Sequence, residues 1–220
     1  MKSRKSKWIW GIICLFIIIT MIVAFMSRET ILLKAGRFMA PVGDYQADVA
    51  ILEGAEFIRT GVITSGIDLL SSGKVKRIVI VVQNIAPAHR PYGIKGDYPD
   101  VVKQELIKIG LKETDFKVII VPIRHPVTLK EAEVVLKVLS KEDIQSAILL
   151  SPGFHTRRSY LAYQHVGLPL QIKIFPSASF TEYQLNNWWV QEPAVRDFTA
   201  ELFKFSYYLA GGYIPFKFSY

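Results

Sequence analysis

The sequence is short of the residues that build disulfides and metal sites. It contains one cysteine, Cys14, and four histidines among 220 residues. A lone cysteine forms no internal disulfide, and neither His89 nor His125 has a second ligand at the spacing of a zinc motif such as His-Glu-x-x-His. We therefore predict no metal site, and we expect the chain to fold without a disulfide.

Two nucleotide-binding motifs are also missing. The chain has neither the Gly-x-Gly-x-x-Gly fingerprint of dinucleotide-binding domains nor a Walker phosphate loop. Because the glycines of the fingerprint let the backbone approach a pyrophosphate closely, their absence argues against an NAD or FAD enzyme. The cofactor therefore stays unknown at this point.

The net charge is small outside the first residues. Four of the 27 basic residues lie within the first seven positions, which leaves 23 basic and 19 acidic residues in the rest. Nucleic-acid-binding domains instead carry a basic stripe interleaved with aromatic side chains. We therefore predict no nucleic-acid partner, whereas attraction to anionic headgroups or to a phosphorylated small molecule stays open.

One long segment contains no charge. It extends from Trp8 to Met26, and its 19 residues would span about 29 Å as a helix, close to the thickness of a bilayer hydrocarbon core. Four basic residues precede this segment, which favours a cytoplasmic N-terminus. We predict a single-pass protein of the plasma (inner) membrane, with the α/β domain outside the cytoplasm.

A cleavable signal peptide is the alternative interpretation. Its apolar region usually has about 7–15 residues and ends at an Ala-x-Ala-like site. Here the run is longer and ends in Val-Ala-Phe-Met-Ser, without such a site. We therefore expect residues 1–27 to form a cytoplasmic N-terminus and an uncleaved anchor, residues 28–46 a juxtamembrane stalk, and residues 47–220 the folded domain.

Beyond the anchor, short apolar runs alternate with helical patterns. The run at residues 77–82 is apolar without alternation and rich in β-branched residues, which is typical of a strand buried on both faces of a parallel sheet. Predicted strands occupy residues 48–52, 77–82, 117–121, 147–150 and 171–175, and predicted helices occupy 55–72, 99–109, 129–139, 154–166 and 193–208. This order predicts an α/β fold, a doubly wound sandwich with a mainly parallel sheet of about five strands.

Polar and titratable residues gather where the predicted strands end. Right-handed crossovers place the carboxyl ends of parallel strands on one edge of the sheet, where ligands bind near the reversal of strand order. Candidate site residues are Glu53 and Gly54 after the first strand, Asn84 after the second, and the segment from Ser151 to Arg158 after the fourth.

The segment after the fourth strand, Ser-Pro-Gly-Phe-His-Thr-Arg-Arg, is the richest in functional groups. It leads into a helix whose first N–H groups and dipole favour an anion, so Ser151 and Gly153 are ligand-binding candidates. His155 is a candidate general acid/base, with packing or capping as the alternative. Arg157 and Arg158 point about 100° apart on a helix, so we expect one of them to face the sheet edge. Ser151 is a weak nucleophile candidate because no Gly-x-Ser-x-Gly turn surrounds it.

Glu53 is the second catalytic candidate. A carboxylate followed by Gly54 at a strand end is placed to orient His155, to accept a proton or to bind a ribose hydroxyl. A structural ion pair or a helix cap is the alternative for Glu53.

Two further patterns concern helix starts and aromatic packing. Thr128 and Glu131 have the spacing of a capping box, so we predict that Thr128 caps the helix over residues 129–139. Trp188 and Trp189 have two interpretations: a lid or membrane-facing patch, and packing of the last helix onto the domain.

Three segments together resemble the YdcF/SanA/ElyC proteins. They are Ala-Asp-Val-Ala-Ile-Leu-Glu-Gly at residues 47–54, the helix start at Thr128, and Ser-Pro-Gly-Phe-His-Thr-Arg-Arg-Ser at residues 151–159. The resemblance implies a Rossmann-like three-layer α/β/α sandwich and a role in the cell envelope.

The resemblance also implies a polar rim. The positions that match it are Glu53, Gly54, Thr128, His155 and Arg158. The chain departs from many members, which have Gly-Gly at the first strand end and Ser-Gly-Gly at the second. These departures allow a different ligand.

We therefore expect a membrane-anchored envelope protein that binds or processes a phosphorylated or nucleotide-like ligand in peptidoglycan or lipid-carrier biogenesis. Its expected partners are the bilayer and a phosphorylated small molecule or envelope precursor, and its protein partners stay unknown. A non-catalytic scaffold or regulator of envelope assembly is the alternative. The sequence leaves open whether the chain is an enzyme.

Overall fold

Five parallel strands form one sheet in the computed structural model, which describes residues 2–53, 60–83 and 98–215. The strands are β1 (Val49–Glu53), β2 (Arg77–Gln83), β3 (Phe116–Val121), β4 (Ser146–Pro152) and β5 (Lys173–Ser179). Their spatial order is β3-β2-β1-β4-β5, and every neighbouring pair is parallel. The predicted α/β class is confirmed, with strand bounds that mostly differ by one or two residues.

Helices cover both faces of the sheet. They are α1 (Lys2–Met26), α2 (Arg28–Met39), α3 (Thr60–Ser71), α4 (Tyr98–Lys108), α5 (Val127–Leu139), α6 (Thr156–Gly167) and α7 (Glu192–Ala210). Short 3-10 helices include Gly153–His155 and Leu185–Val190. Alternate residues of β1 show the two layers, because Ile51 packs in the core with α5, α6 and α7, whereas Leu52 packs in the core with α3 and α4. The architecture is a three-layer α/β/α sandwich.

The central strands β1, β2 and β4 are apolar because helices cover both of their faces. All five residues of β1 are buried, and the apolar residues of β2 from Ile78 to Val82 are buried as well. Parallel sheets covered by helices on both sides require this continuous apolar pattern. The same pattern in the sequence therefore identified the central strands correctly.

The segment predicted as a stalk contains a packed helix. Helix α2 buries Gly36 and Met39, and its Leu32 carbonyl accepts a hydrogen bond of 3.0 Å from Trp188 Nε1. The first part of the predicted stalk, helix α2, therefore packs against the domain and does not extend freely from it.

Helix α1 contains a candidate membrane span. The segment Trp8–Met26 has 19 residues, and none of its apolar window is buried against the domain. Its length and composition are sufficient to cross a membrane, and the same features also fit a signal sequence.

The strand order reverses beside β1. The chain moves outward from β1 through β2 to β3, and then returns to the other side of β1 to form β4 and β5. The carboxyl ends of β1 and β4 therefore flank the switch point, where α/β sheets hold their ligands. Glu53 ends β1 and Ser151 lies near the end of β4.

Candidate functional site

A buried carboxylate lies at the switch point. Glu53 accepts hydrogen bonds from the hydroxyl groups of Ser151 on β4 and Ser159 on α6. Burial raises the pKa of Glu53, but the charge of His155 and these hydrogen bonds outweigh burial and lower the pKa below its ordinary value. Ser151 thus serves as a donor to Glu53.

His155 lies between two carboxylates. Its Nε2 atom is 3.8 Å from Glu53 Oε1, and its Nδ1 atom is 3.3 Å from Glu201 Oε2. Burial and the charge of Arg158 lower the pKa of His155, but Glu201 and Glu53 outweigh them and raise the pKa to about 9. The two carboxylates therefore favour the protonated form of His155, whose side chain is 23 % exposed.

The Nδ1 atom of His155 has a donor and an acceptor close to it. Arg158 Nη2 lies 2.7 Å from Nδ1, and Glu201 Oε2 lies on the same side of the ring. When Nδ1 carries a proton it donates to Glu201, and when it does not it accepts from Arg158. A guanidinium nitrogen can only donate, so the 2.7 Å contact with Arg158 suits an unprotonated Nδ1, whereas the ion pair with Glu201 favours a protonated ring.

Arg158 joins three elements of the site. Its Nε donates to Glu201 Oε2 on α7 at 3.0 Å, and its Nη1 donates to Thr128 Oγ1 on α5 at 2.7 Å. Lys204 Nζ approaches the other Glu201 oxygen at 2.9 Å. Burial raises the pKa of Glu201, but His155 and Arg158 hold it well below its ordinary range. Glu201 is therefore a permanent anion around which the cations are arranged.

The capping-box prediction for α5 is wrong. The N-cap residue is Pro126, and no side chain caps the helix. Thr128 instead accepts the hydrogen bond from Arg158, and Glu131 accepts one of 3.1 Å from the Tyr163 hydroxyl. Both side chains are buried against α6 because tertiary partners outcompete the local cap.

Glu131 forms a carboxyl pair with Glu53. Burial and the neighbouring charge of Glu53 raise the pKa of Glu131 to about 8. One member of the pair is therefore protonated and the other ionised at neutral pH, as expected for two carboxyl groups that share a site. The Tyr163 hydroxyl, whose own pKa is raised by burial and by Glu131, stays neutral.

These groups line one cavity of about 580 Å³ at the carboxyl edge of the sheet. The predicted site residues Glu53, Thr128, His155 and Arg158 all contribute to its wall. A volume of this size suits a small organic ligand. Other lining residues include Gln83, His125, Glu131, Asp197, Glu201, Lys204, Tyr207 and Tyr208.

The other predicted residues lie elsewhere. Arg157 donates from Nε to the Phe38 carbonyl at 2.6 Å and stacks over the Phe38 ring, so it attaches α2 to the domain. Of the two arginines only Arg158 lines the cavity, in agreement with their expected angular separation. Gly153 has a φ of +45°, and a Cβ there would lie 2.5 Å from the Tyr183 hydroxyl.

Two predicted site residues, Gly54 and Asn84, lie outside the described residues. The sequence reasoning also missed Glu131, Glu201 and Lys204. A signal for the α7 residues exists in the sequence, because Asp197, Glu201, Lys204 and Tyr208 recur at helical spacing and so share one face of α7.

Within the described ranges, no group of three or more His, Cys, Asp or Glu side chains has the arrangement of a metal site. The residues that surround the cavity thus include a histidine between two carboxylates, a carboxyl pair and an arginine–carboxylate network. No protein-family model, no curated protein and no solved structure matches this chain.

Proposed function

We propose that this chain is a membrane-anchored envelope protein whose α/β domain binds or processes a phosphorylated or nucleotide-like ligand in the cavity at the sheet edge. The substrate would belong to peptidoglycan or lipid-carrier biogenesis. His155 would act as the general acid/base, and Glu53 as its buried partner. The resemblance to YdcF/SanA/ElyC proteins supports the envelope role.

The observation that carries this proposal is the position of His155. Its ring is held by Glu53, Arg158 and Glu201 at the wall of a cavity, next to the switch point of the sheet. A histidine retained only for packing would not need charged partners at both ring nitrogens. The pairing keeps the ring in one orientation while its proton is exchanged, which general acid/base catalysis requires.

The cations of the cavity support an anionic ligand. Lys204 is 58 % exposed, and its ammonium group lies beside Arg158 around the shared Glu201. A phosphoryl group that enters the cavity can accept hydrogen bonds from Lys204 and protonated His155 while Arg158 stays on Glu201. The first turn of α6 follows His155 directly, so its dipole adds favourable potential for an anion.

The proposed placement in the membrane rests on α1. The basic residues before the apolar segment favour an N-terminus in the cytoplasm and therefore a domain on the outer side.

The test uses the full chain in lipid nanodiscs and compares wild type with His155→Gln. Calorimetric titration with inorganic phosphate, pyrophosphate and a nucleoside 5′-monophosphate measures binding, and phosphate release from p-nitrophenyl phosphate measures turnover. We expect wild type to bind at least one probe and His155→Gln to lose turnover. His165→Gln is the matched control, because His165 is exposed at the end of α6. Equal activity of wild type and His155→Gln would refute the catalytic role.

One observation favours the alternative of a non-catalytic scaffold or regulator. Arg158 already has Glu201, Thr128 and His155 as partners, an arrangement that also suits a structural network. In that case His155→Gln would support normal envelope growth of the source cell, whereas exchange of α1 for an unrelated membrane span would abolish it.

A further inference from the structure

An exposed apolar face lies beside the site. It consists of the exposed Val190, Val195 and Phe203 together with the half-buried Trp189, and we call it the α7 face. Val190 is 71 % exposed and Phe203 is 73 % exposed, and together these side chains line one shallow groove. Contiguous apolar surface of this kind on a soluble domain usually marks an interaction site.

Helix α2 connects this face to the candidate membrane span. The 3-10 helix Leu185–Val190, which carries Trp189 and Val190, is held to α2 by the hydrogen bond from Trp188 to Leu32. Gly36 allows this close approach, since a Cβ there would lie 2.8 Å from the Trp188 ring nitrogen.

The hydrogen bonding of α1 continues into α2. Ser27 donates to the Val23 carbonyl at 2.9 Å, and Ile31 donates to the Ser27 carbonyl at 3.0 Å. Leu32 follows Met26 by six residues, which corresponds to about 9 Å along a helix. The polar layer of one bilayer leaflet is about 5–8 Å thick, so the contact with Trp188 lies at or just outside the headgroups, and any tilt of the helix brings it closer.

The carboxyl edge of the sheet lies on the same side of the domain as α2. The chain leaves α2 at Met39, and the Pro41 carbonyl accepts a hydrogen bond from Ala178, one residue before β5 ends. Helix α2 therefore lies between the candidate span and the edge that holds the cavity. This places the α7 face on the side of the domain that is nearest to the bilayer.

We propose that the α7 face is a second membrane contact, seated at the boundary between headgroups and acyl chains of the bilayer that α1 crosses. This inference rests on the anchoring role of α1 in the proposed function. The chemistry fits a lipid surface, because tryptophan is enriched at membrane interfaces and the groove carries one basic and one acidic side chain, Arg196 and Glu192, that can meet the charged groups of lipid headgroups.

The contact has a consequence for the cavity. Ala200 of α7 lines both the cavity and the groove of the α7 face. Seating this face on the bilayer therefore brings the cavity close to the headgroup layer, where ligands from the membrane surface are concentrated.

The test measures the depth of spin labels on the full chain in nanodiscs of phosphatidylethanolamine and phosphatidylglycerol. Native Cys14 lies within α1 and reports directly on the span. In a Cys14→Ser background, labels at Val190→Cys and Phe203→Cys report on the α7 face. Ile109→Cys is the matched control, since Ile109 is apolar, 57 % exposed and located near β3 at the opposite edge of the sheet.

We expect the ratio of oxygen to nickel-chelate accessibility to be several-fold higher at positions 190 and 203 than at position 109. If Cys14 reports acyl chains while position 190 behaves as position 109 does, the α7 contact is refuted and the anchor stands. If the label on Cys14 has the accessibility of a water-exposed position, both the membrane anchor and the α7 contact are refuted. Protection of position 190 from both reagents would indicate a protein neighbour and would also refute the lipid contact.

Discussion

Glu131→Gln probes the carboxyl pair. The substitution keeps the size of the side chain and mimics the protonated acid, since the amide can donate to Glu53 and still accept from the Tyr163 hydroxyl. In the folded chain Glu131 has a pKa of about 8, whereas in the unfolded chain the pKa returns to about 4.5. Between these values the folded state holds one proton more than the unfolded state.

The sign and the size of the effect follow from proton linkage. Because the folded state binds the extra proton, the contribution of Glu131 to the free energy of unfolding decreases as the pH rises from about 4.5 to about 8. The slope is roughly 1 kcal/mol per pH unit for one proton. His155 adds a second decrease between pH 6.5 and about 9, because its pKa is also raised on folding. The substitution removes only the contribution of Glu131.

The assay is urea unfolding of the full chain in detergent micelles, followed by tryptophan fluorescence at several pH values from 5 to 8. We expect Glu131→Gln to gain stability relative to wild type by roughly 1 kcal/mol for each pH unit of increase. Glu133→Gln is the control on the same helix, because Glu133 is half-exposed and paired with Lys130 at 2.8 Å. Its effect should be under about 1 kcal/mol and should not grow with pH as that of Glu131→Gln does.

The reasoning would be refuted if the stability difference between wild type and Glu131→Gln were the same at pH 5 and pH 8. That result would mean that Glu131 is ionised in the folded chain, and that Glu53 and Glu131 do not share a proton.

Three further substitutions separate the roles of neighbouring residues. Arg158→Met should destabilise the chain by about 3 kcal/mol in urea unfolding, because it removes a buried cation that donates two hydrogen bonds to Glu201, and a loss below about 1 kcal/mol would contradict the network. Arg157→Met should cost about 2 kcal/mol through the lost bond to the α2 carbonyl and should speed proteolysis after α2, while ligand binding in the cavity is unchanged. Gly36→Ala should cost about 1–3 kcal/mol because its Cβ would clash with an indole ring, whereas Gly11→Ala, which meets no atom within 4 Å, should leave the thermal midpoint unchanged.

Strand positions could be predicted because a strand that is buried on both faces has an uninterrupted run of apolar residues. The β2 segment Arg-Ile-Val-Ile-Val-Val-Gln contains such a run, and its bounds were predicted to within one residue. Strand β5 was predicted less well and extends to Ser179, because its end pairs with β4 and carries polar residues and Pro176. The end of β5 is set by its pairing with β4, and the local sequence pattern does not show that pairing.

The candidate site was only partly predictable. Glu53 and His155 could be found because both follow apolar strands, and the carboxyl ends of parallel strands must meet on one edge. Glu131 was assigned to a helix cap because local spacing cannot show that Tyr163 offers a hydrogen bond across the interface of two helices. Glu201 is 46 positions from His155 in the chain, and only the packing of α7 over the edge brings their side chains together.

The positions of apolar residues were sufficient to predict the N-terminal helix and the parallel sheet covered by helices, because both features depend on which residues avoid water. The protonation of the site, the separate roles of Arg157 and Arg158, and the docking of α2 were decided by tertiary structure. Each of them depends on which charged groups lie within a few ångströms of one another after folding. Electrostatic interactions at such distances are set by burial and geometry, and residues distant in the chain supply most of the partners.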